Sequence, residues 1–416
     1  MTWLSRYLER NSATLWPVLQ PEIQARMEAI PPAVVLPVAG GTGLGILRNL
    51  GRLGVPMVAM DDNPSAMGLA SRYAIPVSCH DPRHHGEEAL IQDLERLGEA
   101  LPQRAVLFPA FDDHVWAVSR HRERLSRFYR IPLAGWDVMR RVEDKELQLK
   151  AAAAVGVDIP RTAYVHAPGD LEGAASGMAF PALFKPIRPQ EMRRRFGFKV
   201  IPVPTAADLP AAYEKARICG PLLLQEIIPG GDGAFYTCGA YHDAASRPLG
   251  LFVSRKLRQH PRDFGEARIA ESDWNDEVVA TTLRLLAELS FHGVSGTEFK
   301  LDPRDGRLKL MEVNARHWLH HTLSTAAGVN LSLIAYKDAL GQPIQGPRQD
   351  DGVRWTDLRH ELEDSPGEIL RGKMGLGEFL GGFRHARTDA VWSLDDPLPV
   401  FRQLASAVGR RFSGGR

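Results

Sequence analysis

Short apolar runs alternate with amphipathic stretches along the chain, and the order of the two types predicts the architecture. Val34-Val35-Leu36-Pro37-Val38 is a nearly unbroken apolar run, as expected of a strand covered on both faces. Ile46, Leu47, Leu50 and Leu53 then recur at helical spacing, and Val55 to Met60 forms a second apolar run. Tyr73–Val77 and Ala105–Pro109 read as further strands, with a helical stretch at 86–100 between them and a helix start at Asp112-Asp113. Strand and helix in strict alternation predict a doubly wound α/β unit over 33–130. Before it, a helical lead-in over 1–32 ends at Pro31-Pro32.

Beyond residue 130 the pattern changes. Residues 137–155 read as one helix, capped by Asp137 and ended by Gly156. Strand-like segments then dominate: Pro181–Pro186, Leu222–Glu226, Phe235–Tyr241, Leu251–Ser254, Gly296–Asp302 and Leu308–Asn314, with a helix at 275–290. Asp305-Gly306 between the last two strands is a hairpin turn signal. This half is therefore expected to be α+β. From about residue 346 the tail is polar, Gly-rich and weakly periodic, and its role stays open.

Composition narrows the function classes. The 416 residues carry 51 basic and 50 acidic side chains, a net charge of +1, without the basic excess of a nucleic-acid binder. A hydrophobic content of 44% is that of folded domains. Cys79, Cys219 and Cys238 are widely spaced with no CxxC, so buried thiols in a reducing, cytoplasmic setting are expected. No apolar run is long enough for a membrane span. Met1–Arg10 mixes charges with Trp3, Leu4, Tyr7 and Leu8, and reads as an amphipathic helix docked on the body, not as a secretion signal.

Three constellations carry candidate chemistry. The first is the Gly-rich turn Gly40–Gly45, with Asp61 twenty residues after Gly41. Its spacing departs from GxGxxG, so a tight strand-to-helix turn competes with a dinucleotide site. The second is the Asp-Gly hairpin. Glu312 and Asn314 share one strand face, and the hairpin can bring Glu298 alongside. Oxygen ligands of this kind suit Mg²⁺, with phosphates and water completing its shell. Glu312 sits among Leu308, Leu310, Met311 and Val313, where an acid needs a partner or a metal. The third is Lys185, at the tip of an apolar strand where an ammonium calls for an anion, together with Lys145.

Taken in order, these residues resemble the ATP-grasp superfamily over roughly 33–340. The resemblance implies a Rossmann-like pre-ATP-grasp domain at 33–130, a small subdomain at 131–205, a large subdomain with the metal site at 206–345, and a C-terminal extension at 346–416. It implies that Lys145 and Lys185 contact ATP phosphates. Gln225, Glu226 and the backbone of Ile227-Ile228 would hold the adenine, and Asp232 would lie near the ribose. Glu298, Glu312 and Asn314 match Mg²⁺ ligands, and Asn314-Ala315-Arg316 matches the Asn-x-Arg signature. Two Mg²⁺ ions are implied, with Mn²⁺ as a substitute. Within the superfamily the chain is similar to carboxylate–amine ligases of the D-aspartate-ligase-like type and to carbamoyl-phosphate-synthase-like ATP domains. The segment Ser254–Pro261 carries the first likeness, with Trp355-Thr356-Asp357 and Asp395-Asp396-Pro397. One departure is the loop after Lys185, Arg188–Arg195, which is Arg-rich where the family is Gly-rich.

The implied chemistry joins a small carboxylate to an amine. ATP converts the carboxylate into an acyl phosphate, and the amine then displaces phosphate. Arg316 would stabilise the oxyanion, with Arg255, Lys256 and Arg258 gripping the acyl phosphate or a substrate carboxylate. No general base for the amine is evident. Rival readings are bicarbonate activation of the carbamoyl-phosphate or carboxylase kind, a nucleotide-binding module without turnover, and a dehydrogenase built on the Gly-rich turn. A homodimer is suggested by analogy only. His317, His320 and His321 lack the spacing of a zinc motif, and Asp112-Asp113 reads as a helix cap.

Overall fold

The computed structural model describes residues 21–187, 192, 195–196, 198–261 and 264–413, with side chains as far as residue 405. The Met1–Arg10 helix and most of the Arg188–Arg195 loop lie outside the described residues.

Three sheets organise the chain. The leading sheet is parallel, in the order β3-β2-β1-β4-β5, from β1 (Ala33–Leu36), β2 (Met57–Asp61), β3 (Ala74–Ser78), β4 (Ala105–Pro109) and β5 (Tyr129–Arg130). β1, β2 and β4 are buried at every position, as their unbroken apolar runs require. The second sheet is antiparallel, β6-β9-β7-β8, from β6 (Thr162–Val165), β7 (Ala182–Pro186), β8 (Ile201–Val203) and β9 (Leu222–Glu226). The third has seven strands, β14-β13-β10-β11-β12-β15-β16. These are β10 (Phe235–His242), β11 (Pro248–His260), β12 (Glu266–Ser272), β13 (Gly293–Leu301), β14 (Leu308–Asn314), β15 (Arg354–Thr356) and β16 (Ala386–Asp389).

Two local expectations are corrected. The single helix over 137–155 is two, Trp136–Glu143 and Lys145–Ala154. Asp144 leaves helical geometry and its carboxylate caps the second helix, accepting from the backbone N–H of Glu146 and Leu147. Asp137 is not the cap of the first helix, a position held by Gly135. The break matters because it starts a fresh helix at Lys145. Asp112 opens the helix Asp112–Arg120 without capping it, and its carboxylate turns elsewhere.

The Gly-rich turn opens the helix Gly41–Gly51, every residue of which is buried. A Cβ on Gly43 would lie 2.3 Å from the Pro37 carbonyl oxygen, and one on Gly45 would lie 2.6 Å from the His321 ring. Leu319 and the Ala390 carbonyl each stand 3.1 Å from the Cβ position of Gly41. The glycines serve close packing, and other parts of the chain fill the space above them. Asp61 serves the same turn: its carboxylate accepts from the backbone N–H of Val38 at 2.7 Å and of Asn63 at 3.0 Å. Burial pushes its pKa up to about 6. The dinucleotide reading of this turn is thereby overturned.

The tail has a structural role that its composition hid. β15 and β16 extend the large sheet, and Trp355 is fully buried. Further on, Asp396 takes Arg48 at 3.0 Å and Ser71 at 2.8 Å, while Asp395 takes Arg52 at 2.8 Å and the Tyr73 hydroxyl at 2.7 Å. The extension thus ties the large sheet to the leading one. The three cysteines are buried.

Candidate active site

The antiparallel register assembles the metal-ligand candidates. Glu298 on β13 stands directly opposite Glu312 on β14, and Gly296 opposite Asn314, so the three polar side chains share one face. Asn314 Nδ2 donates to Glu312 Oε1 at 3.1 Å. Trp318 packs beside them on the same face, against Gly239 and Gly296, where a Cβ would come within 1.9 and 3.1 Å of its ring. That contact excludes a side chain at Gly239 and leaves little room for one at Gly296.

Lysines surround these acids. Lys145, in the first turn of its new helix, lies 3.5 Å from Glu312 Oε2. Lys256 on β11 lies 2.9 Å from Glu298 Oε2, with its ammonium 5.1 Å from the centre of the Phe235 ring. Lys185, on β7 of the second sheet, donates to Gln225 Oε1 at 3.0 Å, and Gln225 in turn donates to Thr162 Oγ1 at 2.9 Å. Gln225 therefore aims Lys185. Burial alone would raise the Glu312 carboxyl pKa. The charges of Lys145, Lys199 and Lys185 with the Asn314 amide outweigh it and hold that pKa well below the usual range. Burial pushes Lys185 the other way for an ammonium, down to about 8. Lys199 was not singled out in the sequence, because it follows a polar loop and looks like a solvated charge. An open cleft of about 710 Å³ between β8 and the β11–β12 turn has Lys199, Lys215, His260 and Phe264 in its walls.

An all-oxygen donor set of two carboxylates and an amide fits a hard divalent cation. Among the described residues no group of three His, Cys, Asp or Glu side chains could hold a metal unaided. An ion here would draw its remaining ligands from phosphate and water. The lysines around the acids suit that phosphate.

Arg316 is joined to the leading domain. Its guanidinium pairs with Asp112, with one contact at 3.1 Å. Glu143 belongs to the same cluster: burial first, then the Asp112 charge, raises its pKa to about 7. Neither carboxylate was identified from sequence as part of the site. Each sits at a helix end far along the chain from Arg316, and only the domain packing brings them together.

Other candidates are placed differently. Arg255 follows Ser254, which is in register with Thr237 and Glu298, so its side chain leaves on the opposite face of the sheet. There its Nε lies 3.0 Å from Asp273. This corrects the expectation that Arg255 grips the acyl phosphate. Arg258 is bound to Glu361 and to the Glu378 carbonyl of the C-terminal extension. Glu226 accepts from the Arg161 backbone N–H at 2.8 Å and pairs with Arg304 at 2.9 Å, so both its oxygens are engaged. Asp232 accepts from Gln259 N and Nε2 at 3.0 and 2.9 Å. The Ile227 N–H donates to the Pro181 carbonyl at 3.0 Å, and the Ile228 carbonyl accepts from Lys300 Nζ at 2.8 Å. His317, His320 and His321 point to separate partners: Ser332 at 3.0 Å, Ser254 at 3.3 Å and the Trp318 carbonyl at 2.8 Å.

A parallel leading sheet is followed by an antiparallel sheet and a larger, mostly antiparallel one, with lysines and acids converging between them, and this arrangement is shared with known proteins. Residues 267–346 match the family model of the carbamoyl-phosphate synthase L chain, ATP binding domain. A D-aspartate ligase of Enterococcus faecium (strain Aus0004) is 24% identical over 271 residues, 61% of this chain. The match spans 64% of that ligase, less than two thirds of its length. Among solved structures, the N5-carboxyaminoimidazole synthetase of Staphylococcus aureus superposes with a TM-score of 0.62 at 13% identity, covering 82% of this chain and 86% of that one. Biotin carboxylase of Campylobacter jejuni gives 0.61 at 15% identity over 79% and 75%. The L-amino acid ligase of Bacillus licheniformis gives 0.55 at 17% identity over 76% and 74%.

The depressed Lys185 pKa yields a prediction. Below about 8 the ammonium is charged and would attract a phosphate bound there, and above it the charge is lost. ATP affinity of the free protein is expected to fall as pH rises through that value. Lys185→Arg, whose guanidinium stays charged, is expected to flatten the dependence. Calorimetric titration of ATP at several pH values checks both. An unchanged slope in the variant would assign the dependence to another group.

Proposed function

We propose that this chain is an ATP- and Mg²⁺-dependent, ADP-forming ligase that couples a carboxylate to an amine. The observation that carries the reading is the in-register pair Glu298–Glu312 with Asn314, ringed by Lys145, Lys185 and Lys256. In this reading a substrate carboxylate oxygen attacks the γ-phosphorus, the bond to ADP breaks, and an acyl phosphate forms. The amine nitrogen then bonds to the acyl carbon and phosphate leaves. Glu298, Glu312 and Asn314 would hold Mg²⁺, whose chemistry is neutralisation of phosphate charge in the transfer. Lys145, Lys185 and Lys199 orient the phosphates. Arg316, held by Asp112, would face the oxyanion, and the neighbouring Glu143, whose pKa burial and the Asp112 charge raise to about 7, is the candidate acceptor of the amine proton.

The likeness to a D-aspartate ligase supports an amino acid or a peptide as a substrate. The match to the carbamoyl-phosphate synthase ATP domain supports a second reading, with bicarbonate as the activated carboxylate. One experiment separates them. ADP release is followed across amino acids and small acids, with and without bicarbonate, and products are weighed by mass spectrometry. Amine-dependent ADP release in bicarbonate-free buffer, with an amide product, is the expected result. ADP release that needs bicarbonate would select the second reading, and ATP binding without ADP release under every condition would leave a nucleotide-binding module.

A further inference from the structure

The acids of the donor set already have partners. Glu312 Oε2 lies 3.5 Å from Lys145 Nζ, and its Oε1 accepts from Asn314 Nδ2 at 3.1 Å. Glu298 Oε2 accepts from Lys256 Nζ at 2.9 Å. Each carboxylate that would hold a cation is thus matched by one ammonium. The two lysines come from separate elements. Lys145 opens the helix Lys145–Ala154, and Lys256 stands on β11, with β10 between it and the β13 strand of Glu298. Its ammonium reaches Glu298 past the Phe235 ring of β10. Both side chains are largely withdrawn from water, at 4% exposure for Lys256 and 13% for Lys145. At such burial an ammonium that loses its carboxylate needs another anion.

A bare divalent cation entering this set must take Glu298 and Glu312 from the two lysines. It would leave both ammoniums without a counter-charge and close to a second positive ion, where repulsion is weakly screened. A polyphosphate removes both obstacles. Its oxygens receive the ammoniums and complete the shell of the metal. Cation and polyphosphate therefore favour each other in the site, and such coupling is reciprocal.

We infer that Lys145 and Lys256 are resident counter-ions of the metal site, which disfavour a free divalent cation until a polyphosphate draws them away. The inference rests on the proposed function in taking Glu298, Glu312 and Asn314 as the metal ligands. Mn²⁺ alone is titrated into the full chain and followed by loss of the paramagnetic resonance signal of the free ion. It is expected to bind wild type weakly and Lys256→Met about tenfold more tightly. Adding Glu298→Gln to that variant is expected to cancel the gain. Lys145→Met, with Glu312→Gln as its cancelling change, gives a second pair, and melting temperatures show which variants are folded. Both lysine variants are expected to weaken metal-free ATP, titrated by calorimetry in EDTA. Opposite signs for the two ligands separate a counter-ion from a residue that only supports the fold. Mn²⁺ uptake by the lysine variants no tighter than by wild type, or a gain that survives the loss of the acid, overturns the inference. None of these titrations needs turnover. Equal Mn²⁺ affinities would sink the coupling and leave the ligase reading intact, whereas absent ADP release would sink the ligase reading alone.

Discussion

Glu312→Gln is expected to lower ADP release by about 10²–10³-fold while the protein stays folded. The amide keeps the shape of the carboxyl and can still accept from Asn314, so the β13–β14 register is preserved. What disappears is one of the two negative charges that face each other at the hairpin mouth. Lys145, at 3.5 Å, loses its counter-charge, and a divalent cation held there would lose an anionic ligand. Loss of several kcal/mol of charge stabilisation in phosphoryl transfer corresponds to that rate factor. The stability change should stay near ~1 kcal/mol, because the site is partly open to water. Single-turnover ADP release beside a thermal melt checks both halves. Turnover at the wild-type rate would remove Glu312 from the chemistry.

The second large effect lies outside the site. Glu361→Ala is expected to destabilise the protein by about 3–5 kcal/mol. Glu361 has no exposed surface and stands between two arginines, bonded to Arg258 and 3.3 Å from Arg268 Nε. Removing it leaves two guanidinium groups in a buried setting. Arg268 retains Asp364 at 3.1 Å and Glu368, which softens the loss, whereas Arg258 retains, among the described residues, the Glu378 carbonyl. Glu361→Gln keeps the hydrogen-bonding oxygen and should cost less. The midpoint of urea unfolding reads the difference. A midpoint unchanged in the alanine variant would mean that the arginines are hydrated without their partner.

Much of this architecture is legible in the chain itself. The apolar runs of β1, β2 and β4 announce strands covered on both faces, and Ala105–Pro109 and Leu222–Glu226 occur at the predicted residues. The Asp305-Gly306 turn and the two-residue alternation put Glu312 and Asn314 on one face. The helix break at Asp144 was not legible, because Asp also occurs inside helices, and only its capping of Glu146 and Leu147 marks it as a boundary. Arg255 illustrates a further limit. Its charge suits a phosphate, but facing depends on register, and one residue along a strand reverses the side.

The sequence by itself determined the order of the strongly apolar strands, from β1 to β14, and which residue types carry charge at strand tips, because these follow from local periodicity and turn chemistry, while the strands and helices of the tail were not legible. Only the tertiary structure decided the pairings across long separations. Arg316 with Asp112, Glu361 with Arg258, and Asp395 and Asp396 with Arg52 and Arg48 join residues from 103 to 348 positions apart. Local pattern carries no information about such partners, since a charged side chain reads the same in water and beside its counter-ion. Burial is what makes pairs such as Glu361 with Arg258 and Asp396 with Arg48 necessary, and burial exists only once the sheets have packed.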